Sequence, residues 1–185
     1  MGSRDQPDGQ DTGVEAGFER MYRAYAPEVA AYVARRVRAD SVQDVVADTF
    51  AIAWRRLDRL PDEVLPWLLA VARRVIANQQ RASRRHGALR VRMAAQPVGL
   101  TERVGSELPR VVAALLRLPE RDREVLLLAA WEGLSAQQAA CVLGCSATAY
   151  RIRLHRARRK LVSLVDDESD EQRHAVSALR PEELM

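Results

Sequence analysis

From Phe18 onward the apolar residues of this chain recur at three- and four-residue intervals, without the sustained two-residue alternation of a half-buried strand. Phe18, Tyr22, Tyr25, Val29, Tyr32, Val33 and Val37 set the pattern, which predicts a first long helix that bends near Pro27. Stretches rich in Ala, Leu, Val and Arg carry helical propensity through the rest of the chain. The fold class this predicts is all-α. With 185 residues, 48% of them hydrophobic, the chain has material for one domain or two small ones.

Punctuation divides the pattern. Residues 1–14 hold Gly, Asp, Gln and Pro with almost nothing to bury, and are expected to be disordered. Ser41, with Asp44 three positions on, reads as a box-like start for a helix carrying Val42, Val45, Val46, Phe50, Ala53, Trp54 and Leu57. Pro61 and Pro66 bracket a connector, and Pro66 suits the first turn of a helix over 67–83 with Leu68, Val71, Ala72 and Val75 on its apolar side. These elements make a first domain over 15–85. Residues 86–107 mix Arg, Gly, Pro and Gln without period and read as a flexible linker.

A second domain is expected over 108–165. Pro119 separates two helices at 108–118 and 121–131, and Gly133 turns the chain. Ser135 then caps a short helix to Leu143, Gly144 stands where a left-handed C-cap belongs, and Ser146 caps a last helix reaching about Val165. Two helices joined by so short a glycine turn form a helix-turn-helix. Residues 166–185 are left as an acidic C-terminal tail.

Charge points to a partner. A pI near 9.6 beside a formal net charge of +4 means that the two signs nearly balance, so their placement matters more than their sum. Arginine gathers at 81–92 and 151–160, which fits a polyanion. Cys141 and Cys145 lack the second pair or the histidines of a zinc site, and read as small apolar fillers. No apolar run nears the roughly 20 residues that span a bilayer, and the polar start is no signal peptide, so membrane insertion is not expected and a cytoplasmic location is. No glycine-rich phosphate loop, ligand cluster or nucleophile triad marks an enzyme, and no cofactor is expected.

On the last helix Tyr150, Leu154, Ala157, Leu161 and Leu164 keep to one stripe, while Thr148, Ile152, His155 and Arg159, flanked by Arg151 and Arg156, fall opposite. A recognition helix requires that division, since one side packs while the other enters the major groove. In the first domain Asp44 and Asp48 lie a turn apart beside the buried positions Val46 and Phe50, an acidic face suited to a basic protein. Arg73, Arg74, Asn78, Gln79, Arg81, Arg84 and Arg85 offer amide and guanidinium groups to bases and phosphates. Trp54, Trp67 and Trp131 could stack on unpaired bases, but each falls in an apolar stripe and core packing is the expectation.

These pieces together resemble the extracytoplasmic-function sigma factors, the compact members of the bacterial sigma-70 family. Asp44-Val-Val-Ala-Asp-Thr-Phe-Ala-Ile-Ala-Trp54 is similar to the family's polymerase-binding helix, and Pro66-Trp-Leu-Leu-Ala-Val-Ala-Arg-Arg-Val-Ile-Ala-Asn78 to its promoter-melting helix. Leu118-Pro-Glu-Arg-Asp-Arg-Glu-Val-Leu-Leu-Leu128, Glu132-Gly-Leu-Ser135 and Arg153-Leu-His-Arg-Ala-Arg158 resemble its minus-35 domain. The resemblance implies region 2-like and region 4-like domains. It implies that Asp44, Asp48, Thr49 and Phe50 form or support a surface for the β′ clamp helices of RNA polymerase, and that Arg73, Arg74, Asn78 and Arg81 lie along the minus-10 strand, with the connector 55–66 at a flipped base.

It further implies minus-35 contacts from Ser146, Thr148, Arg151, Ile152, His155, Arg156 and Arg159, a β flap contact, and restraint by an anti-sigma factor. The chain departs from the family pattern at Gln138 and Ala139, where Glu and Ile are usual, and at Ala149 and Tyr150, where Thr and Val are usual. The competing expectation is an operator-binding helix-turn-helix regulator that acts without replacing sigma.

Overall fold

The computed structural model describes residues 8–86 and 108–178, and among these every regular element is a helix. Seven α-helices follow in order: α1 (Asp8–Ala34), α2 (Val42–Trp54), α3 (Val64–His86), α4 (Leu108–Arg117), α5 (Glu120–Ala130), α6 (Ala136–Leu143) and α7 (Ala147–Ala178). Short 3-10 turns at Ala39–Ser41 and Leu57–Arg59 lead into α2 and follow it. The chain divides into two compact units, the first carrying α1 to α3 and the second α4, α5, α7 and most of α6. The expected linker lies almost wholly outside the described residues, as does the end of the chain beyond 178.

In the first unit α1, α2 and α3 pack pairwise. Val29, Tyr32 and Val33 from α1 meet Val45, Val46, Phe50 and Ala53 from α2 and Leu68, Leu69, Ala72 and Val75 from α3, all of them buried. Burying an aliphatic side chain of this size contributes about 1.5–3 kcal/mol, so this three-helix seam is the main source of the unit's stability. An aromatic staple adds to it. Phe18 stands edge-on to Trp54 with centroids 4.9 Å apart, and Tyr22 to Phe50 at 4.7 Å, which ties the N-terminal half of α1 to α2.

Both ends of the helical pattern run past the expected limits. α1 begins at Asp8, inside the stretch expected to be disordered, and α7 continues to Ala178 rather than ending near Val165. Elongating an existing helix needs no new nucleus, and after Gly144 the chain meets no further glycine and no proline before Pro181. α1 also continues through Pro27 to Ala34, where a turn closed by Val33 carbonyl bonds stops it short of Val37. At the start of α2 the expected capping box is not made. The Ser41 hydroxyl donates to the Asp40 carboxylate at 3.1 Å instead of capping the helix.

In the second unit Leu115 and Leu118 from the α4 end, Leu126 and Leu127 from α5 and Ala157 from α7 form one core, with Leu154, Leu161 and Leu164 against its edge. Arg123 on α5 donates through Nη2 to the carbonyls of Leu116 and Leu118, at 2.9 and 3.1 Å, and so caps the end of α4. The turn signals read from the sequence are all used. Ser135 and Gln138 close a reciprocal capping box, in which Gln138 N donates to Ser135 Oγ at 3.2 Å and Ser135 N to Gln138 Oε1 at 3.0 Å. Gly144 ends α6 at φ +65°, with Gly144 N bonded to the Cys141 carbonyl and Cys145 N to the Ala140 carbonyl, a Schellman closure. Ser146 Oγ then accepts from Ala149 N at 3.1 Å and starts α7.

A candidate nucleic-acid interface and a candidate protein-docking face

The N-terminal half of α7 separates its two sides sharply. Tyr150 and Ala157 are buried, whereas Thr148, Arg151, Ile152, His155, Arg156 and Arg159 are all exposed. Tyr150, the bulky residue where a compact one is usual, faces the core, and its hydroxyl donates to the Val125 carbonyl on α5 at 3.3 Å. Burial pushes its phenol above the usual tyrosine range, against the opposing pull of the Arg158 charge. The ring therefore anchors the helix rather than meeting DNA. Ser146 is exposed at the start of the helix, one turn before Tyr150 rather than on the Ile152 face, and its oxygen already serves as the N-cap acceptor.

On α2 the outward side presents Asp44, Ala47, Asp48 and Ala51, all exposed. Thr49 and Phe50, expected on or beneath that surface, lie beneath it. Thr49 is fully buried, with Oγ1 donating to the Val45 carbonyl at 2.7 Å, and Phe50 is 3% exposed. Only the two aspartates of the four can meet a partner directly.

On α3 Arg73, Arg74, Asn78 and Arg81 are all exposed. Arg74, Asn78 and Arg81 share a stripe at i, i+4, i+7, and Arg73 stands about a quarter turn away. Arg81 is oriented by its own helix, through Nη2 to Asn78 Oδ1 at 2.6 Å and Nε to the Ala77 carbonyl at 3.2 Å. Gln79 departs from the expected group, since its amide donates to Asp48 on α2 at 3.5 Å and so points away from the arginine stripe.

The tryptophans correct a further expectation. Trp54 and Trp131 are 41% and 47% exposed, and Trp67 is half-buried. Each falls in an apolar stripe by sequence, but Trp54 and Trp131 stand at the C-terminal ends of α2 and α5, where the core covers less of the ring, and Trp67 stands in the first turn of α3. Tyr22, which the periodicity of α1 placed in its apolar pattern, is likewise exposed, as are Val111, Leu116 and Val162. No helix among the described residues is long and apolar enough to cross a membrane.

A helix-turn-helix with a basic outer face, preceded by a three-helix unit that exposes an acidic face and an arginine stripe, defines a transcription factor with separate protein-binding and DNA-binding parts. Residues 21–86 match the family model described as Sigma-70 region 2, and residues 108–161 match Sigma-70, region 4. The chain belongs to the sigma-70 family, in its extracytoplasmic-function group, and is a sigma factor that directs RNA polymerase to promoters. It is 36% identical over 147 residues to the RNA polymerase sigma factor CnrH of Cupriavidus metallidurans, a match covering 70% of this chain and 75% of CnrH.

A structure of CnrH in complex with the cytosolic domain of CnrY is similar with a TM-score of 0.57 and 30% identity, over 81% of this chain and 88% of that one. The fold is also that of the sigma factor RpoE of Bartonella quintana in complex with the anti-sigma factor NepR, with a TM-score of 0.66 and 24% identity, covering 80% and 96% of the two chains. With both family regions present, the operator-binding regulator is not favoured.

Proposed function

We propose that the first unit docks on the β′ clamp helices of core polymerase through Asp44 and Asp48, with Thr49 and Phe50 fixing α2 from beneath. Ala47 and Ala51 beside the acids allow a partner helix to approach closely. Arg73, Arg74, Asn78 and Arg81 then follow the minus-10 strand, and the connector 55–66 receives a flipped base. Unstacking a base costs a few kcal/mol, which pocketing the base and contacting its phosphates offset without any hydrolysis. The chain accordingly acts by binding alone, as a non-enzyme, in the cytoplasm where its polymerase is.

The second unit sets α7 in the major groove of the minus-35 element through Ser146, Thr148, Arg151, Ile152, His155, Arg156 and Arg159, and meets the β flap from another side. The observation that carries this reading is the exposed basic face of α7, backed by the buried Tyr150 and Ala157. The functional parts are thus 15–85 and 108–165. CnrH is in complex with the cytosolic domain of CnrY, which supports the expectation that a partner protein, in the anti-sigma role the family resemblance implies, covers the polymerase-binding face of this chain.

Runoff transcription from a pool of promoter fragments, with core polymerase and with or without this protein, tests the whole reading. New starts that share two spaced elements are expected. Their absence, together with tight duplex binding in the absence of polymerase, would overturn it.

A further inference from the structure

We propose that Ile152 reads the C5 methyl group of one thymine in the upstream promoter element, an inference that rests on the minus-35 role of α7 given above. Ile152 lies in the second turn of the helix that Ser146 caps, and is 48% exposed. At about 100° per residue, Thr148, Arg156 and Arg159 lie within about 40° of it around the helix axis, and His155 within about 60°. Tyr150, Leu154 and Leu161 lie roughly opposite, and these are the positions that hold α7 to its core. Ile152 is therefore at the centre of the basic face.

A large apolar side chain in that place has no folding role. It lies outside the core cluster of the unit, and a β-branched residue is a poorer helix former than the arginines around it. It has no hydrogen-bonding group, so it cannot read the donor and acceptor pattern of a base edge. The one apolar feature that a base pair offers in the major groove is the thymine methyl. β-Branching leaves isoleucine essentially one χ1 rotamer in a helix, so little side-chain freedom is lost when the contact forms. The arginines supply affinity through phosphates, which carry no sequence, while Ile152 supplies discrimination at one A·T pair.

Deoxyuridine differs from thymidine only by that methyl, which makes the contact testable atom by atom. Holoenzyme assembled from the full chain and core polymerase is measured on a promoter recovered from the runoff selection, with each thymine of the upstream element replaced singly by deoxyuridine. For the unaltered protein one replacement is expected to weaken promoter binding about fourfold, the burial of one methyl group. Ile152→Ala should bind the thymine and uracil promoters equally at that position, and Ile152→Val should keep most of the discrimination.

Insensitivity of the unaltered protein to every replacement would overturn the inference, as would an Ile152→Ala variant that still discriminates. So would an upstream element with no A·T pair. A selection that yields no new starts fails the sigma reading itself, and this inference with it.

Discussion

The Tyr150 hydroxyl on α7 donates to the Val125 carbonyl on α5 at 3.3 Å, and with the ring 1% exposed this is a buried polar link between the recognition helix and its support. Tyr150→Phe keeps the ring and removes the link, so it should destabilise the second unit by about 0.5–1.5 kcal/mol. The same change carries a pH signature. Burial raises the folded phenol pKa above the value near 10 of the unfolded chain, so the stabilising contribution is complete below pH 10 and is lost as pH rises through the folded value. Denaturant unfolding between pH 9 and 11 should fall more steeply for the unaltered protein than for Tyr150→Phe; parallel curves would mean that the phenol is not shielded.

Gly144 sits at φ +65° with nothing within 4 Å of where a Cβ would stand. Substitution there therefore costs backbone strain and no clash. Gly144→Ala is expected to lose about 1 kcal/mol, and Gly144→Asn less, because asparagine enters the left-handed region more readily. Thermal melts of the two variants check the order, and an alanine variant as stable as the parent would mean that the turn had rearranged.

Lys160, the sole lysine of the chain, pairs with the largely covered Asp122 and so joins α7 to α5 a second time. The lysine is itself more than half exposed, so solvent screens the pair and Lys160→Met should cost no more than about 1 kcal/mol. Lys160→Asp should cost more, and adding Asp122→Lys should recover part of the loss. A double-mutant cycle at low and at high salt measures the coupling, which should shrink as salt is added.

Helix-turn-helix punctuation was legible because capping is local chemistry. Ser135, Gly144 and Ser146 each act on backbone groups within a few residues of themselves, and all three do what their spacing predicts. Ser41 failed the same test because it ends a 3-10 turn with helical dihedrals, φ −98° and ψ −5°, whereas a capping residue is extended so that its oxygen can accept from the first turn. Periodicity identified the buried stripe of α7 but not the exposure of Trp54 and Trp131, since a stripe records direction around a helix and says nothing of how far along it the core extends. The pairing of Gln79 was illegible for a related reason: facing Asp48 on α2 is a tertiary fact, with no trace in the local pattern of α3.

The acidic face of α2 separates binding from folding. Asp44 and Asp48 are exposed, and beyond the long bond from Gln79 the fold makes little use of them. Asp48→Arg should therefore leave the melting temperature nearly unchanged, since surface substitutions usually alter stability by less than about 0.5 kcal/mol, and Asp44→Arg, in the first turn where the helix dipole favours acid, should cost no more than about 1 kcal/mol. Core polymerase binding should nevertheless weaken at least tenfold, because a like charge at a desolvated contact costs several kcal/mol. Thr49→Val is the converse probe. The Thr49 hydroxyl is spent on the Val45 carbonyl inside its own helix, so valine should preserve both fold and polymerase affinity. Competition for labelled core polymerase against an established sigma factor measures all three variants. Unchanged competition by both arginine variants would remove α2 from the docking surface, whereas a failing Thr49→Val would mean that the hydroxyl bond to the Val45 carbonyl is needed to hold α2 in its docking shape.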